Sequence, residues 1–431
     1  MKSEPGSNKK LKILIMSAPI GSGHRMAAVA LEEALLRLEN VEVVQGNVFD
    51  FFPSVIGKAF LKFYGTVLKF CPFLYELSYR WSNQGGGSLW MRNILNGILL
   101  RLGKAFIEEV KPDVVFSTHA TPTGILSLYK QKYDPGLWLG VVITDFTVHR
   151  WLVCPGVDAY FVADEKLFGQ INDAAEHCDV MADVSGSCSG DNNGKPQAEN
   201  EKQPEAAPAL FASGIPVRSG FALQNTVAES RTAVRKKYGW PEDAFVCLLA
   251  GGGGGMLPME EIVRSLLARQ SEPVHIVAVT GHNDTLRKKL EALCHRFTNH
   301  SVSGAGAGDE TMQSRLQVLG FTDCMPQLMQ AADVVVTKAG GISLAECLAC
   351  GANLLIYRPL PGQEQGNTAF LQNEYGVAAV TDLRQLTEYL EQVRTVPVPE
   401  RLRRQEQQKA VYGHPEAAQQ IAEFTVTLHR C

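Results

Sequence analysis

Four stretches of the chain carry residues whose types and spacing fit chemistry. The first is Val334–Glu346, VVVTKAGGISLAE, followed at Pro361–Glu364 by PGQE. The β-formers Val334, Val335 and Val336 give way to Gly340-Gly341, and a helix-forming run begins near Ser343. A parallel strand, a glycine turn and a helix present bare backbone N–H groups and a positive dipole end above a sheet, which is a place for a phosphate. The spacing GxxxxGK[ST] is absent, so this is a nucleotide-diphosphate cradle of another kind. The second stretch is Ala18–His24, APIGSGH, directly after the strand-like KILIMS. It places a histidine where open α/β sheets hold ligands, as general base on an acceptor hydroxyl or as a phosphate contact. The bland reading is a helix-start histidine without chemical meaning. The third is Asp145–Trp151, DFTVHRW, at the end of LWLGVVIT. A strand delivering Asp145, His149 and Arg150 to its carboxyl end reads as an active-site rim, or alternatively as a buried ion pair. Gly251–Gly255, five glycines in a row after FVCLLA, leaves no β-carbon in the way of a ligand or backbone.

The elements that must position these residues belong to a chain of 431 residues, too long for one ordinary core, so two domains are expected. The composition, 45% hydrophobic and 20% charged with 39 glycines, is that of a turn-rich α/β protein. A net charge of −4 argues against a nucleic-acid partner. No apolar run reaches the roughly 18–20 residues that span a bilayer. The polar start MKSEPGSNKKLK lacks a signal-peptide core. Ten irregularly spaced cysteines read as reduced thiols, and the Cys347/Cys350 pair reads as helix core rather than as a metal or redox site. The cytosol is the expected compartment.

The first half opens as a strand, a helix over Arg25–Leu38 and a second strand at Val41–Val44. The turn GSGH is not GxGxxG and no acidic residue ends the second strand, which argues against a dinucleotide site. Further strands are expected at Val114–Ser117, Leu137–Thr144 and Ala159–Ala163. Between the second strand and Val114, Phe51–Phe106 interleaves aromatic rings with seven basic residues against Glu76 alone. That pattern suits an anionic bilayer surface; ordinary core helices with solvated lysines are the alternative. Asp179–Ala209 is polar and low in complexity and reads as a disordered insertion. Gly214–Val217 begins a linker. The second half repeats the alternation, with strands at Phe245–Ala250, His275–Thr280, Leu316–Phe321, Val334–Thr337 and Asn353–Tyr357. Asp284 reads as a helix N-cap, and Val411–Leu428 as one closing helix. The expected fold class is therefore α/β, two Rossmann-like doubly wound domains facing a cleft. Residues 1–222 are expected to form the first domain, with the membrane-binding segment, 223–400 the second, and 401–431 a helix packing back on the first.

The motifs GSGHRMAAVAL (Gly21–Leu31), VVITDFTVHRWL (Val141–Leu152), GIPV (Gly214–Val217), Leu319–Gly351 and PGQEQGN (Pro361–Asn367) together resemble the monogalactosyldiacylglycerol synthase and processive diacylglycerol glucosyltransferase family, of GT-B fold. That family is related to the glucosaminyltransferase that completes the lipid-linked peptidoglycan precursor. The resemblance implies a UDP-sugar donor in the second domain and a lipid hydroxyl acceptor, such as diacylglycerol, held by the first. The enzyme would be an inverting hexosyltransferase, peripheral on the inner face of the cell membrane. Carried over by position, Gly320 and Phe321 contact the uracil, and Gly340, Gly341 and Ser343 hold the diphosphate. Glu346 meets the ribose hydroxyls, and Gln363 and Glu364 read the sugar. Gly251 and Gly252 approach the donor, and His24 takes the acceptor proton with Asp145 and His149 nearby. Paired hydroxyl donors suit a carboxylate and an amide on chemical grounds as well. An exposed helix glutamate and a helix cap are the plain alternatives for Glu346 and for Gln363-Glu364. No Asp-x-Asp pair occurs in the chain, and no cofactor or metal is expected for the chemical step. Two departures stand out: Gly21-Ser22-Gly23 replaces a three-glycine run, and the insertion is unusual. The competing readings are a glucosaminyltransferase acting on a polyprenyl-linked precursor, a UDP-sugar epimerase, and a non-catalytic UDP-sugar sensor.

Overall fold

The computed structural model describes residues 10–18, 23–51, 86–185, 207–222, 225–252, 257–268, 274–301 and 315–430. The chain divides into two compact units, Met1–Ile215 with Ala417–Cys431, and Pro216–Glu416. In the first, the described strands are β1 (Leu11–Ser17), β2 (Val41–Asn47), β3 (Val114–Ser117), β4 (Trp138–Val142), β5 (Ala159–Phe161) and β6 (Ala209–Phe211). They lie parallel in the order β2-β1-β3-β4-β5-β6. Near-continuous apolar runs such as KILIMS and VVFS form these strands because helices cover both faces. The helices are α1 (Gly23–Leu35), α2 (Gly86–Val110), α3 (Ala120–Tyr133), α4 (Phe168–Ser185) and α13 (Ala417–Arg430).

The chain's last helix completes the first core. Ile421 and Ala422 of α13 are buried with Ala28 and Leu31 of α1, and Phe424 lies 4.5 Å from Phe211 between ring centroids. Phe211 in turn stacks on Phe161 at 5.2 Å. The strand order reverses between β1 and β3, and a crevice opens at the carboxyl ends of strands at such a point.

The second unit holds β7 (Phe245–Ala250), β8 (Val274–Val279), β9 (Leu316–Leu319), β10 (Val334–Thr337), β11 (Leu354–Tyr357) and β12 (Ala378–Val380). They are parallel in the order β12-β11-β10-β7-β8-β9, so reversal falls between β7 and β10. Its described helices are α5 (Val227–Tyr238), α6 (Met259–Leu267), α7 (Asp284–Ser301), α8 (Met325–Ala331), α9 (Gly341–Ala349), α10 (Gln363–Tyr375), α11 (Leu383–Thr395) and α12 (Val398–Tyr412). At the amino edge of this sheet, the buried Asp333 accepts from Arg235 Nη2 at 2.9 Å and from Val246 N at 2.8 Å. Its other oxygen lies 2.9 Å from Arg231 Nη2 and 3.4 Å from Arg401 Nη2.

Four local expectations change. Val411–Leu428 is not one helix, because Gly413 and Pro415 separate α12 from α13; proline lacks the N–H and disfavours the helical conformation before it. The cap of α7 is Asn283, whose Oδ1 accepts from Leu286 N at 3.0 Å, and Asp284 is the first helical residue. Helix α4 continues through 179–185 and β6 begins at Ala209, so both described ends of the expected insertion are regular structure. Strands β6 and β12 escape a pattern search because each is three residues long and not fully buried, so neither lies in a longer apolar run as β5 does. Residues 186–206 of the insertion, and 52–85 of the aromatic and basic segment, lie outside the described residues.

Candidate active site

In the first unit, α1 follows β1 in the chain, and His24 sits in the first turn of that helix. Its Nδ1 is 2.8 Å from the Thr118 carbonyl oxygen and 2.8 Å from Thr144 Oγ1. A carbonyl only accepts, so Nδ1 carries the proton and Nε2 keeps its lone pair. Thr118 follows β3 and Thr144 follows β4, so the carboxyl ends of neighbouring strands set the tautomer. Thr118 Oγ1 also donates to the His24 carbonyl at 3.2 Å. Burial lowers the His24 pKa, opposed by the Asp145 carboxylate and by the bond to Thr118. The imidazole is therefore neutral at physiological pH and able to accept a proton.

His119 stands at the N-cap of α3, where its side chain accepts from Thr121 N at 3.1 Å. Its ring meets that of His24 at 4.7 Å between centroids and 86° between planes. Burial first, then His24 and His149, hold it neutral far below the usual range. His149 caps the short turn Arg150–Leu152, accepting from Trp151 N at 3.2 Å, and burial with the Arg92 charge pushes its pKa to about 4. The structure thus gathers His24, Asp145 and His149 in one neighbourhood and adds His119, Thr118 and Thr144. Thr118 and His119 open the stretch THATPTG, where the sequence marks no role for either, and Thr118 acts through its backbone oxygen.

In the second unit, Gly251 and Gly252 follow β7, and Gly340 caps α9 after β10. These ends meet: a β-carbon on Gly252 would lie 3.9 Å from Ser343 Oγ. Gly252 has φ 68°, a left-handed conformation that glycine adopts without strain. Glu346, one turn into α9, is partly buried, with its side chain 13% exposed, and its carboxylate lies 3.6 Å from Arg218 Nη2. Burial raises its pKa to about 7, with Arg218 pulling the other way. Nothing in the sequence linked Arg218, which follows GIPV, to Glu346.

Gly362, at φ 91°, turns the chain into α10, whose first residue is Gln363. Glu364 accepts from Leu360 N at 2.8 Å and from Lys338 Nζ at 2.9 Å, while Asn367 Nδ2 donates to the Ala339 carbonyl at 2.9 Å. The start of α10 is thereby fastened to the β10–α9 turn. Gly320 and Phe321 stand at the carboxyl end of β9, with β8 and β7 between them and β10. Phe321 is 58% exposed and stacks on His282 at 4.6 Å. Cys347 and Cys350 are buried free thiols whose pKa values burial drives upward, which makes them packing residues.

Two doubly wound units of this kind, one presenting a neutral imidazole and the other a glycine turn under a helix N-terminus, define a glycosyltransferase of GT-B fold. Residues 24–176 match the family model of monogalactosyldiacylglycerol (MGDG) synthase, and residues 246–422 that of the glycosyltransferase family 28 C-terminal domain. The chain thus carries both of these domains. It is 26% identical over 378 residues to the processive diacylglycerol beta-glucosyltransferase of Bacillus pumilus, covering 86% of this chain and 84% of the relative. It is 25% identical over 380 residues to that of Bacillus subtilis, covering 87% and 84%. Among solved structures, Acinetobacter baumannii MurG is similar with a TM-score of 0.56 and 13% identity, covering 96% of this chain and 98% of that one. TcCGT1 in complex with UDP is similar with a TM-score of 0.53 and 13% identity, covering 96% and 99%.

Proposed function

We propose that this enzyme moves a hexose from a UDP-sugar to the free hydroxyl of diacylglycerol at an anionic membrane surface on the inner face of the cell membrane, inverting the anomeric centre. The observation that carries the reading is His24, a neutral imidazole with its Nδ1 proton committed to the Thr118 carbonyl and its Nε2 lone pair left for an acceptor. Nε2 takes the hydroxyl proton as the acceptor oxygen bonds to the anomeric carbon. The bond from that carbon to the UDP oxygen breaks, and UDP leaves with the added negative charge. The N-terminus of α9 at Gly341–Ser343 and the loop at Gly251-Gly252 meet that charge. Arg358 forks onto Glu261 at 2.8 and 3.0 Å and Lys338 is held by Glu364, so both cations already have partners. Gly320 and Phe321 receive the uracil, Glu346 the ribose, and Gln363 and Glu364 the sugar. The three strand spacings from β9 to β10 measure about 14 Å, a span covered by a nucleoside diphosphate laid along the sheet edge. The relatives' naming as diacylglycerol glucosyltransferases supports the acceptor.

The membrane surface is supported by α2, where Trp90, Met91, Ile94, Leu95, Ile98 and Leu102 form an exposed apolar stripe at helical spacing. Ile94→Glu with Ile98→Glu is expected to lower binding to anionic vesicles at least about 10-fold, at about 0.8 kcal/mol per CH2 no longer buried, with UDP affinity unchanged. Cosedimentation at wild-type level would remove α2 from the membrane contact.

Glu346 gives donor binding a pH dependence. Its raised folded pKa stabilises the empty protein below the unfolded value near 4.5, and that contribution is lost as pH rises through about 7. Ribose hydroxyls donate to the ionised form, so UDP affinity should rise between pH 6 and 8, and calorimetry should find that slope removed in Glu346→Gln.

The deciding assay incubates UDP-glucose, UDP-galactose and UDP-N-acetylglucosamine separately with diacylglycerol vesicles and resolves the lipid products, with and without excess chelator. A glycolipid of inverted anomeric configuration, formed equally with chelator, is expected. Strict Mg²⁺ dependence would contradict the metal-free step. Product only with a polyprenyl-linked acceptor would reassign the acceptor, and no product with any donor would leave a binding protein.

A further inference from the structure

Two imidazoles, His24 and His119, meet beside the reversal point of the first sheet, and backbone groups assign their protons differently. His24 directs Nδ1 at a carbonyl and so holds a lone pair on Nε2. His119 directs Nδ1 at the Thr121 N–H and so, being neutral, carries its proton on Nε2. Among the described residues that N–H has no protein partner. Capping alone does not account for His119, since Ser, Thr, Asp and Asn do that work without drawing an imidazole partly out of water. Its ring edge also lies against His24 at 4.7 Å.

We propose that His119 is the acceptor-positioning residue: its Nε2–H donates to an oxygen of the acceptor lipid's glycerol while its ring holds the His24 imidazole in place. The inference rests on the reading of His24 as base. A base that only accepts cannot by itself orient a hydroxyl that can rotate, and a fixed donor beside it supplies the second point of contact. A neighbouring ester or hydroxyl oxygen of the glycerol unit is the partner that this N–H suits.

The first test does not need activity. In full-length protein with ¹⁵N-labelled histidine, long-range ¹H–¹⁵N correlation at pH 7 should show His24 as the Nδ1–H form and His119 as the neutral Nε2–H form. An Nδ1–H form or an imidazolium at His119 would overturn the proposal. The second uses His119→Asn, which keeps a strong cap. Acceptor kcat/KM should fall about 10-fold, the scale of one hydrogen bond, with the UDP-sugar KM at wild-type value. The groups facing His24 are Asp145 and His119, with His149 beyond His119 and Arg92 against His149. Removing the His119 ring admits water, so the acid limb of the kcat profile should move to higher pH, toward an ordinary histidine. Wild-type kinetics and an unmoved limb would overturn the proposal, as would equal losses for both substrates that follow a lowered melting temperature. Absence of transfer by the wild-type enzyme would instead overturn the proposed function, and the tautomer assignment would still decide this inference.

Discussion

His24→Ala is expected to lower kcat for sugar transfer by about 10²–10⁴-fold, the range general-base removal produces, while UDP binds as in the wild type. The separation follows from chain position. His24 belongs to the unit of Met1–Ile215, whereas the glycine turn, Ser343 and Glu346 belong to that of Pro216–Glu416. Single-turnover kinetics and calorimetry with UDP measure the two effects, and circular dichroism checks that the variant is folded. A variant that transfers normally would remove His24 as base. One that loses UDP binding would make His24 a donor contact instead. Thr144→Val offers a milder counterpart, since it removes one hydrogen-bond partner of Nδ1 and leaves the Thr118 carbonyl.

The largest stability effect is expected at Asp333. Its carboxylate sits among Arg231, Arg235 and Arg401, and its side chain is 1% exposed. The guanidinium groups repel one another once that charge is gone; burial and Arg231 already hold the Arg235 pKa down at about 10. Asp333→Ala removes the only carboxylate common to these three ion pairs and also orphans the Val246 N–H at the start of β7. A loss of about 3–5 kcal/mol is expected, the cost of breaking a buried pair from one side. Because the chain has two units, a single two-state fit is unsafe, and the transition belonging to Pro216–Glu416 is the one to follow. Replacing Asp333 and the arginines together with apolar residues should cost less than the single change, because no charge is then left buried alone.

Much of the fold was legible because parallel strands buried on both faces leave plain marks. FVCLLA, HIVAVT and VVVT are apolar runs of strand length, each with a turn or glycine signal behind it, and their alternation with helical periods implies a doubly wound sheet. The short strands β6 and β12 left no such mark. The break between α12 and α13 was written in Gly413 and Pro415, but amphipathic periodicity on both sides masked it. At the proposed site, residue type pointed to His24, Asp145, Glu346 and the glycines, since few other residues accept a proton, meet a diol or admit a phosphate.

By itself, then, the sequence determined the class of the longer strands and helices, the glycine turns that leave N–H groups bare, and the family motifs. These depend on neighbours within a turn or a strand. Only the tertiary structure decided which nitrogen of His24 holds its proton, because the deciding carbonyl belongs to Thr118, 94 residues away. It also brought Arg218 to Glu346, Lys338 to Glu364, and His119 to the edge of His24. Protonation and hydrogen-bond polarity are set by whatever lies within about 3 Å, and the order of strands in a sheet determines what lies there.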